Sequence, residues 1–240
     1  MPTDYRRLPP TQVAWSGLAR RVPLAAALVV TAAALFGVLT WAVHGDMSGT
    51  GLDLRVLDWM IDHRGEPLTG IARVITDLGG TVAMAILAVL TGCWFLSQRN
   101  LPVAALVGVT SLGAWALIWV IKRVIGRHRP PMESRLVTEL SLSYPSGHSL
   151  GSTAVVGIVA IVLIPRLRNH WLRVAAVAVA IAFPITVGLS RIYLGVHWAT
   201  DVLAGWTIGL LWLTVCVTLF ARLHPVRELP ATAEPDAELR

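Results

Sequence analysis

Apolar residues in this chain are gathered into long blocks separated by short polar segments. A hydrocarbon core of roughly 30 Å takes about 20 residues of helix, and three blocks reach that length outright: Pro23 to Val43, Leu101 to Ile121 and Val202 to Ala221. Leu78 to Leu96 is nearly as long, while Leu150 to Ile164 and Val174 to Leu189 reach it by borrowing flanking residues. The pattern predicts an all-α bundle of six membrane-spanning helices. Pro184 inside the fifth block predicts a kink, which a membrane helix tolerates when neighbours satisfy the freed carbonyl. The first block is too long for a signal-peptide core and lacks a small-residue cleavage pattern before His44 and Asp46, so it reads as a retained span. Between the first two blocks, Leu52, Val56, Trp59, Met60 and His63 share one helical face, with Asp53, Asp58 and Asp62 elsewhere. That fits either a helix lying in the membrane interface or a short helix packed on the bundle.

Composition agrees with a membrane protein: 55% of residues are hydrophobic, 14% are charged, and mean hydropathy is +0.66, too oily for a domain whose whole surface meets water. The net charge of +6 does not imply nucleic acid, because the cations sit in short segments between spans rather than in one patch with interleaved aromatics. Arg20, Arg21, Arg99, Arg166, Arg168, Arg173, Arg222 and Arg227 fall on one side if the spans alternate. The positive-inside rule then makes both termini cytoplasmic, although Arg55, Arg64, Arg73 and the cluster from Lys122 to Arg135 keep the bias small. Residues 1–22 are expected to form a cytoplasmic segment, 23–221 the membrane domain, and 222–240 a tail whose prolines and acids predict disorder. Cys93 and Cys216 lie inside apolar blocks and carry no redox signal.

Three polar clusters interrupt the oil: Lys122 with Arg129-Pro130, then Pro145-Ser146-Gly147-His148, then Ser190-Arg191 with His197 and Asp201. Alternating spans place the end of the third, the start of the fourth, the end of the fifth and the start of the sixth on one face, so all three clusters share one side of the membrane. Lys122, Arg129 and Arg191 supply three cations, and arginine adds planar bidentate donors that match phosphate oxygens. Ser146 and Gly147 precede a predicted helix, whose free N–H groups point at the same guest. Asp201 is the sole acid between Glu139 and Glu228, and Lys122 the sole lysine beside nineteen arginines. Phosphoryl transfer needs a nucleophile and a proton donor to the leaving oxygen. His197 and Asp201, spaced i and i+4, fit a nucleophile oriented by a carboxylate. That leaves His148 as the acid. A zinc site of His148, His197 and Asp201 is disfavoured by three neighbouring cations.

With these residues in hand, the chain resembles the type-2 phosphatidic acid phosphatase superfamily, the lipid phosphate phosphatases related to vanadium haloperoxidases. The family's motifs K-x6-R-P, P-S-G-H and S-R-x5-H-x3-D match at eleven positions in order and spacing, over a resemblance that runs from about Leu78 to Ala221. It implies a six-helix bundle with an exoplasmic site, a phosphohistidine on the second histidine and no metal or other cofactor. Lys122, Arg129, Ser146, Gly147 and Arg191 then correspond to phosphate ligands, His148 to the acid, His197 to the nucleophile and Asp201 to its orienter. Pro130, Pro145 and Ser190 are weaker members.

The expected activity is hydrolysis of a phosphomonoester or diphosphate on a lipid such as phosphatidic acid, phosphatidylglycerol phosphate or a polyprenyl diphosphate. The expected location is the plasma membrane, with the site facing outward. Phosphotransfer to an alcohol is an alternative that sequence does not separate, and a non-catalytic phosphate or lipid transporter is another, disfavoured by the His-Asp pair. Arg123, Arg127, His128 and Arg135 lie outside the motif positions and are expected to be solvated loop charges. Trp41, Trp59, Trp94 and Trp198 read as an interface belt.

Overall fold

The computed structural model describes residues 22–224. The predicted N-terminal segment, apart from Val22, and the tail beyond His224 therefore lie outside the described residues. The helices are α1 (Val22–Gly45), α2 (Gly51–Asp62), α3 (Glu66–Leu78), α4 (Thr81–Ser97), α5 (Leu101–Ile125), α6 (Gly147–Leu163), α7 (His170–Tyr193) and α8 (Ala199–Leu223), with single 3-10 turns at Met132–Ser134 and Ile164–Arg166. No strand occurs among the described residues.

Five of these helices are long and apolar enough to cross a bilayer: α1, α5, α6 with its 3-10 turn, α7 and α8. The predicted second span, Leu78 to Leu96, corresponds to α4, which at 17 residues is short for a crossing on its own; α3, outside the predicted block, precedes it at a bend of 44°. Gly79-Gly80 at that bend ends α3 and opens α4, because glycine loses the most backbone entropy on entering a helix and two in series make a break there cheap. Counting the bent pair once gives the six spans that the sequence predicts.

α6 and α8 form the centre of the bundle, packed on each other, with α1 against α8, α5 and α7 against α6, and α4 against α5 and α6. Burial follows this order, since about half of α8 but little of α1 is covered by protein. The uncovered faces of α1, α4, α5 and α7 are apolar, including Leu24, Val30, Val82, Leu112, Val179 and Leu189, an exposure that suits lipid and not water. At the end away from the motifs, Phe95, Val107, Ile158, Val162, Val217 and Phe220 make a dry core, and Arg166 lies over the Phe95 ring.

α2 differs from its predicted presentation. It opens with Thr50, whose hydroxyl accepts from the Asp53 amide while Asp53 Oδ2 accepts from the Thr50 amide, a reciprocal cap. Its covered face carries Asp53 and Leu57, with Val56 and Met60 half-buried, whereas Leu52, Trp59 and His63 face outward. The apolar stripe is thus split by a buried carboxylate, and the helix is held to the bundle by an ion pair as well as by oil.

Candidate active site

The three clusters meet at one end of the bundle. Lys122 ends α5, Arg129 and Pro130 lie in the α5–α6 connection, Pro145 to His148 enter α6, Ser190 and Arg191 end α7, and His197 with Asp201 enter α8. The α7–α8 connection is tight, turning through Gly195 at φ +71°. A Cβ there would lie 2.2 Å from the Ser134 carbonyl oxygen, so backbone passes backbone at a distance only glycine allows. Gly205 does the same one helix further on, where a Cβ would stand 2.7 Å from the Ser146 carbonyl oxygen. The Ser146 amide in turn donates to the Asp201 carbonyl at 3.0 Å. The N-termini of α6 and α8 are thereby held together.

His197 is buried at 1% exposure. Its Nε2 faces Arg129 NH1 at 3.1 Å and its Nδ1 faces Asp201 Oδ2 at 3.4 Å. A guanidinium can only donate, so Nε2 is the acceptor and the ring carries its proton on Nδ1, toward the carboxylate. Burial first, and then the cations Arg129, Arg191 and Lys122, hold the imidazole well below its ordinary titration range. A neutral ring with a lone pair on Nε2 results. The His-Asp pairing differs in kind from the i, i+4 helical contact expected of the spacing. His197 precedes α8, and Asp201 turns back over the first turn to accept from the Trp198 amide at 3.0 Å.

Ser143, which the sequence reading passed over, stands beside this pair. Its hydroxyl donates to Asp201 Oδ2 at 2.5 Å and lies 3.4 Å from His197 Nδ1.

The cations surround the same space. Arg129 donates to Ser141, Leu142 and Val196, and Lys122 Nζ reaches Ser141 Oγ and the Leu142 carbonyl. Arg191 is buried; it donates through NH1 to Thr76 Oγ1 at 2.8 Å and through NH2 to Glu139 Oε1. Its Nε–H has no partner among the described residues. Glu139 also faces Arg129 at 3.6 Å, and although burial opposes its ionisation, Arg191 and Arg129 hold its carboxyl below the usual range. The cation cluster thus includes a protein carboxylate. Nothing in residue spacing pointed to Glu139, because it belongs to an irregular loop that folding alone brings to the cations. Burial lowers the Arg129 pKa to about 10, which leaves it charged at neutral pH.

His148 sits where a Cβ on Gly80 would be 3.6 Å from its Nε2, and Gly147 lies beside the Lys122 side chain. Ser146 caps α6, its hydroxyl accepting from the Ser149 amide and hydroxyl, and it is fully buried. Ser190 returns its hydroxyl to the Val187 carbonyl of its own helix. Pro145 follows a cis peptide bond from Tyr144, and the Pro130 carbonyl accepts from Arg135. Among the described residues no group of three or more His, Cys, Asp and Glu side chains is placed to share a metal ion.

Two expectations are corrected. Arg127 is not a solvated loop charge: it is 0% exposed, and its guanidinium joins Asp53 at 2.7 Å to Asp201 at 2.6 Å. Burial works against the Asp53 carboxylate, but the Thr200 amide and Arg127 outweigh it and depress its pKa. Trp198 is not an interface residue either. It is buried, donates from Nε1 to the His128 carbonyl, and is crossed by the chain at Gly49, whose φ of +114° and missing side chain permit the contact. Both were misjudged because a guanidinium or indole beside a span end is indistinguishable, in sequence, from one that snorkels. Trp41, Trp59 and Trp94 are exposed.

Between α4, α5 and α6 a groove of about 800 Å³ runs from Gly79, Ile118 and Gly147 beside the cluster to Leu96 and Leu101 at the far end of the helices. Its walls are small and apolar, with Ala88, Gly92, Ala104 and Gly108 among them.

Comparison with known proteins gives concordant matches. A model of the PAP2 superfamily matches residues 102–225. Phosphatidylglycerophosphatase B of Bacillus subtilis (strain 168) is 38% identical over 149 residues, 61% of this chain and 70% of that protein. Undecaprenyl-diphosphatase of Sulfolobus acidocaldarius is 32% identical over 87 residues, 36% of this chain and 37% of that protein. Among solved structures, the transmembrane PAP2-type phosphatidylglycerolphosphate phosphatase from Bacillus subtilis superposes with a TM-score of 0.75 at 28% identity, covering 83% of this chain and 98% of that one. Aquifex aeolicus LpxE shares the fold, with a TM-score of 0.54 at 19% identity over 73% of this chain and 98% of that one.

Proposed function

The chain belongs to the PAP2 superfamily, and from that premise we propose that it is a membrane phosphatase that cleaves a phosphomonoester or diphosphate from a lipid through a phosphohistidine on His197. The observation that carries the reading is the setting of His197: a buried ring whose Nδ1 faces Asp201 and whose Nε2 faces Arg129. The unpartnered Arg191 Nε–H is a donor that a phosphate oxygen would satisfy, and burying it without one costs free energy. The groove between α4, α5 and α6 offers an apolar path for the tail from the cluster toward the opposite face.

In the proposed reaction Arg129, Arg191 and Lys122 hold the nonbridging oxygens, assisted by N–H groups at the start of α6. His197 Nε2 attacks phosphorus while the bond to the leaving oxygen breaks, and His148 gives that oxygen its proton. Asp201 stabilises the positive ring that results. His148, now a base, takes a proton from water as its oxygen attacks phosphorus, the P–N bond breaks, and phosphate and His197 are released. Each step is supplied by side chains, and no metal is assigned a role. The relatives named above carry phosphatidylglycerophosphate and undecaprenyl diphosphate in their names; both lipid classes are candidates here. The charge bias of the connectors supports cytoplasmic termini and an outward-facing site in the plasma membrane.

The test is phosphate release by the purified protein in detergent, with EDTA present, from phosphatidylglycerophosphate, phosphatidic acid and undecaprenyl diphosphate. Release from at least one of them, lost in His197→Ala, is expected. Release from none, or activity that requires added divalent cation, overturns the reading.

A further inference from the structure

Arg127 is enclosed with both of its carboxylate partners, all three side chains at 0% exposure. Thr200 completes the cluster: its hydroxyl accepts from Arg127 NH1 at 2.7 Å, and its amide donates to Asp53 Oδ1 at 2.8 Å. Such a network is a poor way to gain stability. Removing charges from water is costly, and well-packed apolar residues of similar volume often serve as well or better. What apolar residues could not supply is direction and charge at the carboxylate behind His197.

We propose that Asp53 and Arg127 are positioning residues for the reaction, which fix the rotation of the Asp201 carboxylate and keep its negative charge effective at His197. The inference rests on His197 as the phosphoryl acceptor and extends the working site to α2, a helix that carries none of the three motifs. Arg127 NH1 takes Oδ1 of Asp201 at 2.6 Å. The other oxygen, Oδ2, is thereby turned to Ser143, the Trp198 amide and His197 Nδ1. Arg127 and Asp201 alone would form a neutral pair, with little field left for the cationic ring that exists when phosphorus occupies Nε2 and a proton occupies Nδ1. Asp53, 2.7 Å from Arg127 NH2, restores one net negative charge to the cluster. It is itself anchored by the Thr50 and Thr200 amides, so the charge is delivered at a fixed place.

Charge balance separates this role from simple structural support. Asp53→Asn leaves the cluster neutral, Arg127→Gln leaves it with two negative charges, and the double variant returns to one. Purified variants that retain a monodisperse elution profile are assayed for kcat and KM on whichever lipid phosphate the wild type cleaves. Asp53→Asn should lower kcat roughly 10- to 100-fold with KM nearly unchanged, as expected for a group that orients a reacting one from behind. The double variant should be no slower than Asp53→Asn, a non-additivity of groups acting as a unit. Asp58→Asn, on the exposed face of the same helix, should leave both constants at wild-type values.

A folded Asp53→Asn with kcat within about threefold of wild type, or a double variant whose loss equals the product of the singles, overturns the proposal. Should the charge variants fail to fold, Thr200→Val removes the bridging hydroxyl and keeps both charges; a several-fold drop in kcat supports the inference and an unchanged kcat refutes it. Activity that survives in His197→Ala would instead remove the reading beneath it, an outcome distinct from any of these.

Discussion

Replacing Glu139 by glutamine removes a carboxylate that lies between Arg191 and Arg129. Glutamine keeps the shape and one oxygen acceptor, so the loop and the Arg191 side chain should stay in place while the charge disappears. An incoming phosphate must displace this carboxylate or bind beside it, and either way the negative charge opposes binding. A hydrogen bond between charged groups is worth about 1.5–3 kcal/mol net, and because the Glu139 side chain is 26% exposed the lower end applies. About 1.5 kcal/mol corresponds to roughly tenfold in affinity. The inhibition constant of inorganic phosphate, measured against lipid phosphate hydrolysis at neutral pH, should therefore fall about tenfold in Glu139→Gln, with kcat within about threefold of wild type. A weaker phosphate inhibition constant, or a kcat loss comparable to that of Arg191→Ala, would show that Glu139 assists the phosphate clamp instead of competing with the substrate.

Stability should depend on pH through groups named above. Because folding holds His197 below its ordinary value of 6.5, the unfolded chain takes up a proton there that the folded chain refuses, and stability falls as pH drops below 6.5. Asp53 and Glu139 have folded values below their ordinary 3.8 and 4.5; their contribution is complete above those values and is lost as pH falls through the folded ones. Thermal midpoints in detergent should decline below about pH 6.5, and His197→Gln should reduce the slope above pH 4.5 without abolishing it; an unchanged slope in that variant would contradict the assignment. Gly205→Ala should push the first turn of α6 away from α8, since the new carbon would stand 2.7 Å from the Ser146 carbonyl oxygen. A loss of about 1–3 kcal/mol is expected, measured as a lower thermal midpoint with reduced activity, whereas Gly37→Ala on open α1 surface should cost nothing; equal midpoints for the two would refute the packing argument.

Span positions were legible because a bilayer imposes a length and a composition that few other structures share. The motif residues were legible for a related reason: cations, histidines and one acid at span ends have no ordinary use in an apolar chain, and parity placed them on one face. Arg127 and Asp53 defeat that reasoning, since their partners come from elements far apart in sequence and each alone looks like a surface charge. Trp198 fails likewise, its indole buried under the loop at Gly49. Glu139 and Ser143 belong to the irregular α5–α6 connection, where no period assigns a face. The helix that joins the second span through the bend at Gly79-Gly80 was not foreseen, because an apolar count registers the block and not a more polar helix leading into it.

The claim on which the account turns is a covalent bond between phosphorus and His197 Nε2. Rapid acid-free quenching of the enzyme during turnover of a lipid labelled in its phosphate, followed by peptide mapping, tests it directly. The account predicts label on the peptide that contains His197, stable in alkali and lost in acid, formed before phosphate is released, and absent from His197→Ala. Full turnover with no such label at any time, or label on His148 in its place, would contradict it.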